Sequence, residues 1–444
     1  MKKRTDCERI ATEIVRKLQR RGYQAYFVGG GVRDMIRGEP PTDIDVATDA
    51  TPDDVKSLFK PSKLVGAHFG VVIVVEDGVQ IEVATFRADG DYVDGRRPET
   101  VTFTDAEGDV RRRDFTINAL LYDPVADKLI DLVGGRADIE ARLVRAIGDP
   151  RDRFAEDHLR LLRAVRFAAR LGFDIEPETA AAIRDLAEKI KIVSAERIAE
   201  EMKKILVSDG RERGIRLMEE LGLLRHILPE VSDMVGVAQP PNLHPEGDLF
   251  QHVLLMLSHL KDPSPELAWG VLLHDIGKPR TIVVEDRIRY PGHEAVGAEL
   301  ASDICRRLKM SNESRDCIVY LVKRHMCFKD VENMRLSTLK RLLAHPAFPE
   351  LLELHRVDAL ASGGDLTSYN FCVRKRAELG EERVKPPPLI DGHDLIALGL
   401  KQGPMFSKIL SNIEEEQLDE KLTTRDEALA RARELARHLK SNGE

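Results

Sequence analysis

The chain has 444 residues, 42% hydrophobic, 5% aromatic and 32% charged, enough apolar material for packed cores in roughly three domains. A formal net charge of −8 excludes a generally basic nucleic-acid binder, so any RNA contact must use local patches. The five cysteines (7, 305, 317, 327 and 372) form no Cys-x-x-Cys pair and read as reduced cytosolic thiols, and no apolar run approaches membrane-spanning length. Met1-Lys2-Lys3-Arg4 is followed by a charged amphipathic helical pattern over 8–21, not by a signal sequence, so a cytoplasmic location is expected.

Ala25-Tyr26-Phe27-Val28 predicts a strand, and Gly29-Gly30-Gly31-Val32-Arg33-Asp34 follows it. The glycines allow backbone N–H groups to approach phosphate oxygens, and Val32 to Ile36 can open a helix whose N-terminus favours anions. Asp43-Ile44-Asp45 comes next. On a strand this spacing puts both carboxylates on one face and turns Ile44 into the core. Such oxygen ligands suit Mg²⁺, which binds through few carboxylates plus substrate phosphates. Thr51-Pro52-Asp53-Asp54 signals a helix start with a capping residue, Pro at the first position and an acid at the third. Apolar runs at 71–75, 79–84 and 101–103 predict further strands around a polar, turn-rich loop over 87–98. Arg112-Arg113-Asp114 adds positive charge suited to a phosphate-rich site. Together these segments read as machinery for moving a nucleotide from a triphosphate onto a hydroxyl.

From about 141 to 235 the pattern is helical throughout. Basic patches lie at Arg96-Arg97, at Arg111 to Arg113, at six arginines between 151 and 170, and at Lys203, Lys204, Arg211 and Arg213. Pro240-Pro241 marks a boundary. His252 then stands on an apolar helical pattern, followed by His274-Asp275-Ile276-Gly277-Lys278, His293, His325 and Asp358. Neutral imidazoles and carboxylates on packed helices can hold divalent metal and activate a water for attack on phosphorus, and Lys278 can bind phosphate. His244, His259, His345, His355 and His393 read as surface or core residues. After 365, Pro386-Pro387-Pro388 predicts a linker or turn, Leu389 to Leu395 a helical start, Gly403-Pro404 a break, and the end a charged helix with Glu414-Glu415-Glu416.

These motifs resemble the bacterial class II tRNA nucleotidyltransferase (CCA-adding) and poly(A) polymerase family, within the polymerase-β-like superfamily. The resemblance covers nearly the whole chain. Through it, Asp43 and Asp45 become Mg²⁺ ligands, and the strand Ile81-Glu82-Val83-Ala84-Thr85-Phe86-Arg87 supplies a third carboxylate, Glu82. Gly29, Gly30, Gly31 and Arg33, with Arg112, Arg113, Asp114 and Asn118 of the second motif, contact the incoming nucleotide. Asp131-Leu132-Val133-Gly134-Gly135 matches a hinge between head and neck, and Glu156-Asp157-His158-Leu159-Arg160 with Arg163, Arg166 and Phe167 matches the base-selecting motif. The loop over 87–98 corresponds to the flexible loop that helps CCA-adding and A-adding enzymes switch to ATP. The order His252, His274-Asp275, His293, His325, Asp358 resembles an HD-superfamily metal phosphohydrolase, whose metal the sequence does not name.

Base selection also has a direct chemical reading. Asp157 and Arg160, three apart on a predicted helix, share a face. An Asp accepts and an Arg donates, which suits cytosine and adenine, each with an amino donor beside a ring-nitrogen acceptor. Uracil and guanine present the opposite pattern.

The expected fold is α+β: a mixed-sheet nucleotidyltransferase head over 1–140, a helical neck and body over 141–235, an HD domain over 236–365 and a helical tail over 366–444. The expected activity is template-independent addition of CCA, or its terminal A, to tRNA from CTP and ATP, with a phosphohydrolase activity on RNA ends. A poly(A) polymerase remains the nearest alternative. An HD phosphohydrolase with an RNA-binding head is a second, and a non-enzymatic RNA-binding scaffold a third.

Overall fold

The computed structural model describes residues 6–41, 43–65, 70–89, 101–239 and 247–441. The chain divides into two compact units, residues 1–233 with 307–310, and 234–306 with 311–444.

The first unit opens with α1 (Asp6–Arg20), whose Ile10, Ala11, Ile14, Val15 and Leu18 form a fully buried stripe at helical spacing. Then come β1 (Ala25–Val28), α2 (Gly30–Ile36), β2 (Asp45–Thr48), α3 (Pro52–Leu58), β3 (Ser62–Val65), β4 (Val71–Glu76) and β5 (Val79–Thr85). Next are β6 (Arg87–Asp89), β7 (Val101–Phe103), α4 (Ala106–Arg111), β8 (Leu121–Asp123), β9 (Lys128–Ile130) and α5 (Gly135–Ala141). Seven strands form one sheet in the order β3-β4-β5-β2-β1-β8-β9, and only the β2–β5 pair is parallel. α3 starts as its sequence predicts, with a reciprocal Thr51–Asp54 capping box worth about 1 kcal/mol.

Beyond the sheet the unit is mostly helical: β10 (Leu143–Val144), α6 (Pro150–Glu156), α7 (Leu159–Leu171), β11 (Asp174–Ile175), α8 (Pro177–Leu186), α9 (Ala195–Leu206), α10 (Arg211–Glu220), α11 (Leu224–Ile227) and α12 (Pro229–Ser232). The expectation of helix throughout 141–235 therefore needs correction. β10 and β11 pair in parallel, because Gly172 ends α7 in the left-handed region and returns Phe173 to the core.

The second unit contains α13 (Leu249–His259), α14 (Pro265–Leu273), α15 (Lys278–Thr281), the hairpin β12 (Val283–Val284) and β13 (Ile288–Arg289), α16 (His293–Arg307), α17 (Asn312–Arg324), α18 (Leu336–Leu343) and α19 (Phe348–Ala361). α20 (Thr367–Val384), α21 (Gly392–Ala397), α22 (Pro404–Leu418) and α23 (Arg425–Ser441) complete it. The last three helices share a core of Leu395, Phe406, Ile409, Ile413, Ala428 and Ala432. The predicted helical start at Leu389 moves to Gly392, because the Asp391 side chain caps the helix there. No helix among the described residues is long and apolar enough to cross a membrane. The 87–98 loop lies outside the described residues beyond Asp89, as do Arg96, Arg97, Pro240, Pro241 and His244.

Candidate functional site

Strand alternation builds the carboxylate face of the first unit. Ile44 and Val46 are buried, so Asp45 between them faces the other way, and Glu82 does the same between buried Ile81 and Val83. Val46 is paired with Val83 in the parallel β2–β5 register, which sets Asp45 and Glu82 side by side. Asp43 lies just ahead of β2, not on it as expected, yet its charge still reaches the same place. Burial, with the neighbouring carboxylates of Asp43 and Glu82, pushes the Asp45 carboxyl up to about 6 against the pull of Arg113. A site that concentrates negative charge in this way fits a divalent cation.

The glycine turn closes on this face. A Cβ on Gly29 would stand 3.5 Å from Asp45 Oδ2 and 3.8 Å from Arg113 Nη1. A Cβ on Gly31 would meet the Asp43 carbonyl oxygen at 2.6 Å, so only glycine lets α2 pack this near. α2 begins at Gly30, two residues earlier than the sequence suggests.

The arginines are held by partners that spacing alone did not single out. Asp109, 1% exposed, accepts from Arg112 Nε and Nη2 through Oδ1 (2.9 and 2.6 Å) and from Arg113 Nε and Nη2 through Oδ2 (3.2 and 3.0 Å). Its positions three and four residues before two arginines on a helix were the available signal. Arg113 also donates to the Asn118 carbonyl at 3.2 Å. Arg33, buried, donates to Asp34 at 2.9 Å and to Asn118 Oδ1 at 2.9 Å. Asn118 in turn donates to Asp114 at 3.3 Å, and Asp114 Oδ2 accepts from Arg163 Nε and Nη2 at 2.9 and 2.6 Å. Burial opposes ionisation of Asp114, yet the Arg163 guanidinium holds its carboxyl down at about 2. Arg33, Arg163 and Arg166 all pack around the Phe167 ring, and Arg166 donates to Glu201 at 2.6 Å.

Asp157 and Arg160 do not share a helix face. Asp157 terminates α6 with an extended backbone (φ −145°, ψ 103°), while Arg160 lies in α7. Both Asp157 oxygens accept from Arg197, at 3.1 and 2.7 Å. Arg160 instead donates to the Arg112 and Arg153 carbonyls and pairs with Glu156. Of the suspected basic patch around 203–213, Arg211 is buried and donates to the Leu206 and Val207 carbonyls, so it is a structural residue.

The second unit gathers His252 from α13, His274 and Asp275 from the end of α14, His293 from the start of α16 and His325 from the end of α17. Two groups form, His252 with His274 and Asp275, and Asp275 with His293 and His325, each with its candidate ligand atoms within 4.8 Å of one another. Asp358 of α19 stands outside these groups, 3.2 Å from His252 Nε2. His274, His293 and His325 each direct Nδ1 to the carbonyl three residues back, Val271, Tyr290 and Val322, at 2.9, 2.8 and 2.7 Å. A carbonyl only accepts, so each Nδ1 carries the proton and each Nε2 keeps a lone pair.

The Nε2 atoms of His293 and His325 face each other at 3.2 Å, and Asp275 Oδ1 is 3.2 and 3.6 Å from them. Burial drives the His325 pKa down to about 4, so the ring is neutral at pH 7. Among the described residues Asp275 Oδ1 is buried with no hydrogen bond to it, and buried His274 Nε2 faces Asp275 Oδ2 at 3.0 Å. Facing lone pairs and an orphaned buried acceptor fit a divalent cation. Gly277 permits the arrangement, since a Cβ there would meet the His293 carbonyl oxygen at 2.1 Å. Among the histidines left aside, His345 stacks on Tyr320 and His355 on Phe328, as core or surface rings do.

Both units match known families. Residues 25–145 match the Poly A polymerase head domain, 172–234 the probable RNA and SrmB-binding site of polymerase A, and 249–363 the HD domain. A CCA-adding enzyme of Geobacillus thermodenitrificans is 46% identical over 218 residues, 49% of this chain, which spans about half (54%) of that relative. One from Anoxybacillus flavithermus is 32% identical over 95% of both chains. The crystal structure of the Bacillus stearothermophilus CCA-adding enzyme in complex with CTP superposes with a TM-score of 0.72 at 28% identity, covering 99% of this chain and 100% of the other. Likeness in sequence at 32% identity over 95% of both chains, together with the matching fold, means that the chain belongs to the CCA-adding enzyme family.

Proposed function

We propose that the chain is a template-independent tRNA nucleotidyltransferase that adds CCA, or its terminal A, to tRNA 3′ ends from CTP and ATP in the cytoplasm. The observation that carries this reading is the shared face of Asp45 and Glu82, flanked by Asp43, Gly29 and Arg113. Asp43 and Asp45 would hold Mg²⁺, and Glu82 binds or activates the attacking hydroxyl. When bound, the metal stabilises the attacking and leaving oxygens of an in-line displacement of pyrophosphate. Gly29, Gly30 and Gly31 offer backbone N–H groups to the triphosphate, and Arg33, Arg112 and Arg113 offset its charge. Asp114 and Asn118 hold the ribose side of the pocket. Asp157 and Arg160 select the base, with Arg163 and Arg166 behind them. Because Arg197 occupies both oxygens of Asp157, base entry exchanges that ion pair for hydrogen bonds to the nucleotide.

A second activity is supported by the imidazole cluster of the other unit. His252, His274, Asp275, His293, His325 and Asp358 would hold divalent metal for phosphohydrolysis at RNA ends. When bound, the metal supplies an activated water for attack on phosphorus.

The test uses full-length protein, Mg²⁺, labelled CTP or ATP, and tRNA transcripts ending before CCA, after C and after CC. All three should grow to a discrete CCA end. Extension of the CC-ended transcript alone restricts the enzyme to A addition, and a long A ladder replaces the reading with a poly(A) polymerase. Phosphate release from RNA ends after loading with a transition metal checks the second activity.

A further inference from the structure

Lys278 is 8% exposed, and its ammonium stands 2.6 Å from Asp275 Oδ2 and donates to Gln239 Oε1 at 3.0 Å. An ammonium only donates, so the Gln239 atom facing it must be the carbonyl oxygen. This fixes the amide orientation. The Gln239 NH₂ group, on a side chain only 3% exposed, is then buried without a hydrogen-bond partner among the described residues. Leaving such a donor unpaired costs about 1–3 kcal/mol. A buried, oriented and unpaired donor beside a metal-type cluster calls for an acceptor that arrives with the ligand.

The backbone before Gln239 is tied to neighbouring elements. Ala238 bridges Asp248 in antiparallel fashion, and Leu249 N–H donates to the Val237 carbonyl at 3.0 Å. The Tyr290 hydroxyl donates to the Ala238 carbonyl, its ring lies 5.3 Å from the Lys278 ammonium, and its own carbonyl takes the His293 Nδ1–H at 2.8 Å. One tyrosine therefore fixes the backbone beside Gln239, the setting of Lys278 and the aim of a candidate ligand.

We propose that Gln239 and Lys278 form a phosphoryl-binding ledge for this centre, Gln239 Nε2–H donating to a non-bridging oxygen of a phosphate ester while Lys278 offsets its charge. The inference rests on the metal-centre reading above. A phosphomonoester has three non-bridging oxygens to face metal, ammonium and amide together, one more than a carboxylate. Gln239 acts here as a phosphate-binding residue, distinct from the ligand set.

The experiment uses the full chain loaded with Mn²⁺ and measures metal content and inorganic phosphate binding by calorimetry, for the wild type, Gln239→Leu and Gln239→Glu. Metal content should be unchanged in both variants. Gln239→Leu should weaken phosphate about tenfold, the loss of one hydrogen bond to a charged group. Gln239→Glu should weaken it further, because its carboxylate still pairs with Lys278 but repels the anion. If Gln239→Leu does not fold, Gln239→Glu, which keeps the shape and the lysine pair, decides. Unchanged phosphate affinity with metal retained overturns the ledge and leaves the centre standing. Loss of metal in the variants also overturns it, since Gln239 would then serve the ligands. A wild type that takes up no metal overturns both readings.

Discussion

Around the carboxylate site of the first unit, Asp114 and Arg33 are held by polar side chains from far along the chain. In the imidazole cluster of the second, three of the four histidines are held by the backbone just before them, each Nδ1 on the carbonyl three residues back. Asp114 needs Arg163, 49 residues away, and Arg33 needs Asn118, 85 residues away. On the proposed reading, the first arrangement gives a pocket in which Asp157 would exchange Arg197 for a base. The second gives fixed lone pairs that suit an ion with a demanding ligand set. The helix-borne cluster should therefore tolerate change around it better than the ion-pair network does.

Several variants would break or sharpen this contrast. The largest effect is expected for Asp45→Asn, which removes a carboxylate of the first site. Nucleotide addition in single turnover should fall by about 10³-fold or more, while metal uptake by the histidine cluster persists. Asp275→Asn should do the reverse, lowering metal content of the second unit to near zero because the residue belongs to both ligand groups. Retention of full metal content would refute its central place.

Asp114→Asn comes next. The folded carboxyl sits at about 2, below its ordinary 3.8, so its contribution to stability is present above pH 4 and lost as pH falls through 2. The shift corresponds to about 2 kcal/mol at pH 7, which urea unfolding should show as a lower midpoint at unchanged slope. The penalty should shrink at pH 3.

The mildest effect is the pH profile of nucleotide addition. The Asp45 carboxyl, raised to about 6, is protonated below that pH and then cannot hold a cation. At low Mg²⁺ the rate should fall about tenfold per pH unit below 6, and higher Mg²⁺ should move the midpoint down. The sign for stability is opposite to that of Asp114. A raised carboxyl stabilises the metal-free fold most below 3.8 and loses that contribution as pH rises through 6. Mg²⁺ should accordingly raise the melting temperature more at pH 7.5 than at pH 5.

Much of this was legible in the sequence, for stated physical reasons. The Thr51–Asp54 cap and the apolar runs that became β1, β4, β5 and β7 are local signals, and the local rule decided each. The order of ligand-type residues in the second unit was legible because each lies on or at the end of a helix that its apolar sequence marks. Asp157 was misread because helical spacing continues across it, while Arg197, 40 residues later, draws it into an extended turn between α6 and α7. Asp109 was passed over because a lone acid on a short helix looks like a solvated face, although its spacing to Arg112 and Arg113 pointed to the pairing that its burial makes decisive. Gln239 carries no motif at all. Its meaning depends on Lys278, 39 residues away, and on an amide orientation that only three-dimensional placement can fix.

Asp275 is shared by both histidine groups, so on the proposed metal reading it would serve two ions at once. Two ions drawing on one carboxylate cannot bind as independent events, because the first to arrive withdraws charge that the second requires. Occupancy should be stepwise, with the second ion held more weakly than the first and lost first on dialysis. The stoichiometry found in a preparation would then report its history of metal exposure, and a half-loaded protein would be a distinct species with its own affinity for anions.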